Sequence, residues 1–187
     1  MIILPRVTRA TVAGRGILLI LLGWWTWRFV PHPLDWSRLN ASFLHLVNLP
    51  FHEAGHILFS PFGEFLTILG GSLLQVAVPV VCAVAFAGRD DWFSVAVCGW
   101  WAGESLVDLA PYIADARALQ MPLLGGATGA EVEGHDWEAI LGRLGWLHLD
   151  HTLGMGAHVA GSALMIVALA FGAWLLLNGR RAEAVGA

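Results

Sequence analysis

Five largely apolar stretches run along the chain, at roughly 11–30, 42–62, 65–87, 92–114 and 153–177, each about as long as the ~20 residues needed to cross a ~30 Å hydrocarbon core. Each is predicted to be helical, because backbone exposed to lipid must satisfy its own hydrogen bonds. Between the fourth and fifth stretches lies the longest polar segment, 116–152. Inside it Trp137, Ile140, Leu141 and Leu144 repeat at i, i+3, i+4 and i+7, which predicts an amphipathic helix lying in the interface or capping the bundle. The expected fold is all-α: a single membrane-embedded domain over 1–187, a polytopic transmembrane helical bundle of about five spans with one amphipathic interfacial helix.

Composition agrees with this pattern. Of the 187 residues 57% are hydrophobic and 13% charged, and the mean hydropathy is +0.68, outside the usual balance of a soluble domain. Aromatic residues near span ends, including Trp36, Trp92 and Trp174, suit rings at headgroup level, whereas Trp100 and Trp101 lie deeper and read as packing. The net charge of −4 and the scattered arginines form no basic stripe, so nucleic acid is not an expected partner. Cys82 and Cys98 sit in separate apolar runs and read as small buried hydrophobes. Arg6, Arg9 and Arg15 precede an apolar stretch, as in a signal peptide. Trp24, Trp25, Trp27 and Arg28, with no small-residue cleavage site, favour a retained first span instead. The same arginines favour a cytoplasmic N-terminus, although a five-span chain would place five arginines on each side. All ten basic residues being arginine, with abundant Ala, Gly and Leu, suggests a bacterial source and hence a multi-pass protein of the inner (cytoplasmic) membrane. The tail after Arg180 is expected to be disordered.

Several helix breakers fall inside the apolar runs. Pro50, Pro61 and Pro79 interrupt or bound the second and third stretches, and a proline within a helix frees a carbonyl and kinks it. Discontinuities at Pro50 and Pro111 would open a polar cavity at membrane depth. Gly70 and Gly71 beside Ser72 read as close helix packing with no chemical role.

The chemistry is concentrated in the second stretch. His52, Glu53 and His56 form H-E-x-x-H, and on a helix the i and i+4 imidazoles share a face where both can ligate one Zn2+ while Glu53 reaches a metal-bound water. Zinc lowers the pKa of that water to about 7, and the glutamate takes its proton and returns it to a leaving amine. The five-residue pattern arises by chance in about one chain in a hundred of this composition, so its place inside an apolar run carries more weight. The bland alternative is a satisfied polar cluster bonding neighbouring helices.

A third ligand should approach at the same depth. The fourth stretch offers Glu104, Asp108 and Asp115 on one face. If the second and fourth stretches run in the same direction, Glu104 and Asp108 lie level with the histidines, and Asp115 lies farther by more than about 10 Å at 1.5 Å per residue. His158 and His45 are weaker candidates, more often hydrogen-bonding core residues. His135, His148 and His151 fall in the polar segment, and Asp136 is placed to cap the amphipathic helix.

These residues resemble the site-2 protease class of intramembrane zinc metalloproteases (peptidase M50-type), in particular its small bacterial branches. The class's second motif, Asn-x-x-Pro followed by Asp-Gly, has a counterpart in Asp108-Leu-Ala-Pro111-Tyr-Ile-Ala-Asp115-Ala116, where Asp108 replaces the asparagine, Asp115 comes one residue early and Ala116 replaces the glycine. Glu104-x-x-x-Asp108 is also similar to the Glu-x-x-x-Asp element of soluble gluzincins. The resemblance covers roughly 42–116. It implies peptide-bond hydrolysis in a membrane-embedded protein substrate, with His52, His56 and Asp108 holding zinc, Glu104 or Asp115 as alternatives to Asp108, and Glu53 as general base. Two other functions fit the same residues: a non-catalytic zinc-binding membrane protein, acting as sensor, carrier or structural site, and a proton or ion pathway through Glu53, Glu104, Asp108 and Asp115.

Overall fold

The computed structural model describes residues 8–185; Arg6 lies outside them. Among the described residues seven α-helices form: α1 (Arg9–Phe29), α2 (Trp36–Asn40), α3 (Phe43–Phe59), α4 (Glu64–Ala87), α5 (Trp92–Ala114), α6 (Asp136–Leu144) and α7 (Asp150–Val185). Among the described residues there is no strand, only an isolated bridge between Pro122 and Thr128.

Helix starts are fixed by short polar side chains that accept otherwise unpaired backbone N–H groups. Thr8 accepts from Thr11, Ser42 from Leu44 and Asp91 from Ser94, opening α1, α3 and α5. Prolines do not break the helices. Pro50, Pro79 and Pro111 lie within continuous α3, α4 and α5, and Pro61 falls in the 3-10 segment Ser60–Phe62. The expected discontinuities at Pro50 and Pro111 are therefore absent. The tail expected to be irregular after Arg180 continues α7 as far as Val185, and residues 186–187 lie outside the described chain.

Among the described residues three helical segments are long and apolar enough to cross a membrane: Arg9–Phe29, Glu64–Ala87 and Leu147–Asn178. The other two expected spans are present as helices of another character. α3 has only 17 residues and carries His45, Asn48, His52, Glu53 and His56, while α5 carries Glu104 and Asp108. α5 is the most enclosed helix, with both carboxylates buried. Large apolar side chains on the outer faces of α1, α4 and α7, such as Ile20, Trp27, Val81, Val84 and Val167, are left exposed, as lipid-facing surfaces are.

The core lies where α1, α5 and α7 meet: Leu22, Phe29, Trp100, Val107, Met165 and Ala168 are buried together, and the Trp100 indole donates to Thr26 Oγ1 at 2.8 Å. α5 and α7 approach so closely that a Cβ added to Gly103 would stand 2.6 Å from the Gly161 carbonyl oxygen. Such contact brings backbones together where apolar burial alone gives helices no preference in lipid.

α6 caps one end of the bundle, as its periodicity predicts. Ile140 and Leu141 are buried against Phe65, Ile68 and Leu69 of α4, the Trp137 indole donates to Ser72 Oγ at 3.2 Å, and Arg143 pairs with Glu64 at 2.6 Å. Its N-cap is His135, whose Nδ1 accepts from the Glu138 N–H at 3.2 Å, rather than Asp136, which opens the first turn.

Candidate metal centre

α3 presents His52 and His56 on one face with ring centroids 5.0 Å apart, as the i, i+4 spacing requires. Against that face α4 lays a stripe with the same spacing, Thr67, Gly71 and Gln75. His56 Nδ1 donates to the Thr67 carbonyl at 2.9 Å, and His52 Nδ1 donates to Gln75 Oε1 at 3.0 Å. Between them Gly71 lies under both rings: a Cβ there would come within 2.6 Å of His52 Nε2 and of His56 Nε2. With both Nδ1 atoms occupied, both Nε2 atoms face the same point.

The third group at that point is Asp136. Its Oδ2 is 2.9 Å from His52 Nε2 and 3.3 Å from His56 Nε2. Tetrahedral zinc with bonds of about 2.0–2.1 Å separates its donors by about 3.3 Å, so this N, N, O set has the size and chemistry for such an ion. His52, His56 and Asp136 are the trio that could hold a metal among the described residues. Asp136 stands in the first turn of α6, where the helix dipole favours negative charge. Burial pushes its carboxyl up, but the His52 and His56 rings outweigh that and hold it below the usual carboxylate range. Its backbone N–H donates to the Tyr112 hydroxyl at 2.9 Å, which ties the start of α6 to α5.

Asp108, the expected third ligand, stands elsewhere. Its Oδ1 accepts from His45 Nδ1 at 2.9 Å, and its Oδ2 accepts from Gln75 Nε2 at 3.0 Å and from Asn48 Nδ2 at 3.3 Å. Asn48 also donates to Glu104 Oε2 at 2.8 Å and accepts from the Trp101 indole at 2.9 Å. α3 does not lie in register along α5: His45 meets Asp108, Phe51 meets Trp101 and His52 meets Tyr112, so depth counted from the two helix starts does not carry over. Asp108 faces His45, Asn48 and Gln75 rather than the two Nε2 atoms.

The other candidates also separate from the trio. Glu104 is fully buried beside Asn48, with Oε1 unpartnered. Asp115 closes α5 and accepts from the backbone N–H groups of Gln120 and Met121 at 3.0 and 2.9 Å, which shapes the following loop. His135 Nε2 lies 3.4 Å from Asp115 Oδ2, and burial pushes the imidazole down against the upward pull of Asp115 and Asp136. His158 donates to the Val30 carbonyl at 3.1 Å, the core role expected of it.

A cavity of about 630 Å³ opens onto the trio. Glu53 and Tyr112 line it beside the histidines, and residues 121–126 and 132–134 of the polar segment form its opposite wall. Gly125, Gly126 and Gly134 have φ of 105°, 91° and 122°, which this wall can adopt because they lack a Cβ. The cavity therefore arises between α3, α5 and the polar segment and needs no broken helix.

Comparison with protein-family models, with curated proteins and with solved structures found no match, so the functional reading rests on the geometry above.

Two signals for the missed residues were present in the sequence. Gln75 is a lone amide in an otherwise apolar helix, a costly placement that marks a polar partner. Asp136 opens an amphipathic helix, where capping alone accounts for a polar residue in the sequence. The role of Gly71 depends on its facing the two rings, which α4 packing alone determines.

Proposed function

We propose that this protein is an intramembrane zinc metalloprotease, similar in plan to the site-2 proteases, with His52, His56 and Asp136 as zinc ligands and Glu53 as general base. The observation that carries the reading is the convergence of both Nε2 atoms and Asp136 Oδ2 at the mouth of a cavity that Glu53 also lines. Zinc held there would supply a Lewis acid and an acidified water. Glu53, one residue from His52, is placed to take a proton at the cavity face and return it to the leaving amine. Tyr112, whose hydroxyl already accepts the Asp136 N–H, keeps its own proton for a group bound in the cavity.

Three protein ligands facing an open cavity suit catalysis better than storage, because structural zinc sites are closed by four. The three apolar helices, with α5 buried among its neighbours and α3 carrying exposed Leu46, Ile57 and Leu58, support a multi-pass protein of about five spans; the reading puts it in the inner (cytoplasmic) membrane, acting on transmembrane protein substrates. The deciding experiment compares membranes from cells expressing wild type and Glu53→Gln, with zinc measured in both purified proteins. New peptide N-termini within membrane proteins in the wild type alone, at equal zinc content, are the expected result. Identical N-terminal profiles would leave a zinc-binding protein without turnover.

A further inference from the structure

We propose that Gln75 and Asp108 are positioning residues of the metal centre: together they force His52 to carry its proton on Nδ1 and so keep Nε2 free for the metal. This rests on the zinc reading but concerns residues that touch no metal.

A glutamine amide can present either its oxygen or its NH2 group to a neighbour, and a neutral imidazole can carry its proton on either nitrogen. A Gln75–His52 contact alone would therefore permit two arrangements, one of which puts the proton on Nε2 and blocks ligation. Asp108 removes the ambiguity. A carboxylate only accepts, so at 3.0 Å from Asp108 Oδ2 the Gln75 amide must turn its NH2 group that way and its oxygen toward His52 Nδ1, also 3.0 Å away. His52 Nδ1 must then be the donor.

The direction is reinforced from behind. The Trp101 indole N–H only donates, and it occupies Asn48 Oδ1, so Asn48 turns its NH2 group to Asp108 and Glu104. His45 donates to the remaining oxygen of Asp108. The donors of this polar cluster thus converge on Asp108, Trp101 through Asn48 and His45 directly from one side and His52 through Gln75 from the other. His56 needs no such relay, because its Nδ1 meets the Thr67 backbone carbonyl, which only accepts. Oriented outer partners of metal-bound histidines are worth about 10–100-fold in metal affinity.

The test is a double-mutant cycle in detergent-purified full-length protein, with zinc affinity measured by competition with a chromophoric chelator. Gln75→Met, which occupies similar volume without a hydrogen-bonding group, is expected to weaken zinc binding about 10–100-fold. Asp108→Asn is expected to weaken it in the wild-type background and to have less than about a twofold further effect beside Gln75→Met. Histidine ¹⁵N and ¹H spectra of the zinc-loaded proteins give an independent readout: the His52 Nδ1 proton should exchange slowly in the wild type, where it is held by Gln75, and fast in Gln75→Met, while the His56 Nδ1 proton, held by the Thr67 carbonyl, stays slow in both. Gln75→Leu serves as a second variant should Gln75→Met not fold.

Unchanged zinc affinity and an unchanged exchange rate of the His52 Nδ1 proton on loss of the Gln75 amide would overturn the proposal, as would an Asp108→Asn effect of equal size in both backgrounds. Wild-type protein that binds no zinc would instead remove the metal centre itself, a separate result.

Discussion

Replacing Gly71 by alanine is the most discriminating perturbation of the centre, because helix propensity and site geometry push in opposite directions. In a helix interior the change should stabilise by about 1 kcal/mol. Here the added Cβ would lie 2.6 Å from the Nε2 atoms of both His52 and His56, about 0.8 Å inside the 3.4 Å at which ordinary contact begins. The rings must move by about that much, and metal–ligand bonds tolerate about 0.2 Å. They cannot swing freely, since moving them strains the His52–Gln75 and His56–Thr67 hydrogen bonds, each worth about 0.5–1.5 kcal/mol. Loss of both is about 1–3 kcal/mol, or about a 5- to 140-fold fall in zinc affinity. Chelator competition on purified Gly71→Ala, beside its zinc-free melting temperature, reads the two effects separately. Gly14→Ala and Gly23→Ala on α1 have open space at the new Cβ and should bind zinc as the wild type does. A Gly71→Ala protein with wild-type zinc affinity would refute the placement of α4 against the histidines.

Leu141→Ala, which removes a fully buried anchor of α6 from α4, should cost about 2–5 kcal/mol and weaken zinc by loosening Asp136; chemical denaturation and zinc titration check both. Gly161→Val should separate α5 from α7 and abolish monodisperse folded protein on size-exclusion chromatography, since the first added carbon already meets the Gly103 carbonyl. The His135 cap should make α6 docking sensitive to acid. Burial lowers the His135 pKa in the folded state, so its contribution is full above about pH 6.5 and is lost as pH falls toward the depressed value. Hydrogen exchange over 136–144 of zinc-free protein should therefore rise below about pH 6, relative to intrinsic rates, and His135→Asn should remove that dependence.

The positions of the five long helices and of α6 were legible because each rests on a local pattern: an apolar run of bilayer length, or a 3.6-residue repeat. The two histidines were legible for the same reason, since one helix turn separates them. Asp108 lies apart from the His52, His56 and Asp136 group because its position depends on how α3 crosses α5, and counting residues from span starts assumes helices in register. The observed contact, with His45 rather than His56 opposite Asp108, is set by packing of Trp101, Asn48 and Phe51 between the two helices. Asp136 was harder still, because it reaches His52 from 84 positions along the chain, through a polar segment whose path no periodicity encodes. Asp115 shows the converse: its place in a motif drew attention, yet its oxygens are consumed in shaping the loop that leads to α6.

Zinc analysis of three purified proteins, wild type, Asp136→Ala and Asp108→Ala, decides most directly whether the centre is assembled as described. About one equivalent of tightly held zinc is expected in the wild type, loss of it in Asp136→Ala, and weakened but measurable binding in Asp108→Ala. Full zinc in Asp136→Ala together with none in Asp108→Ala would contradict the site and return the third ligand to α5.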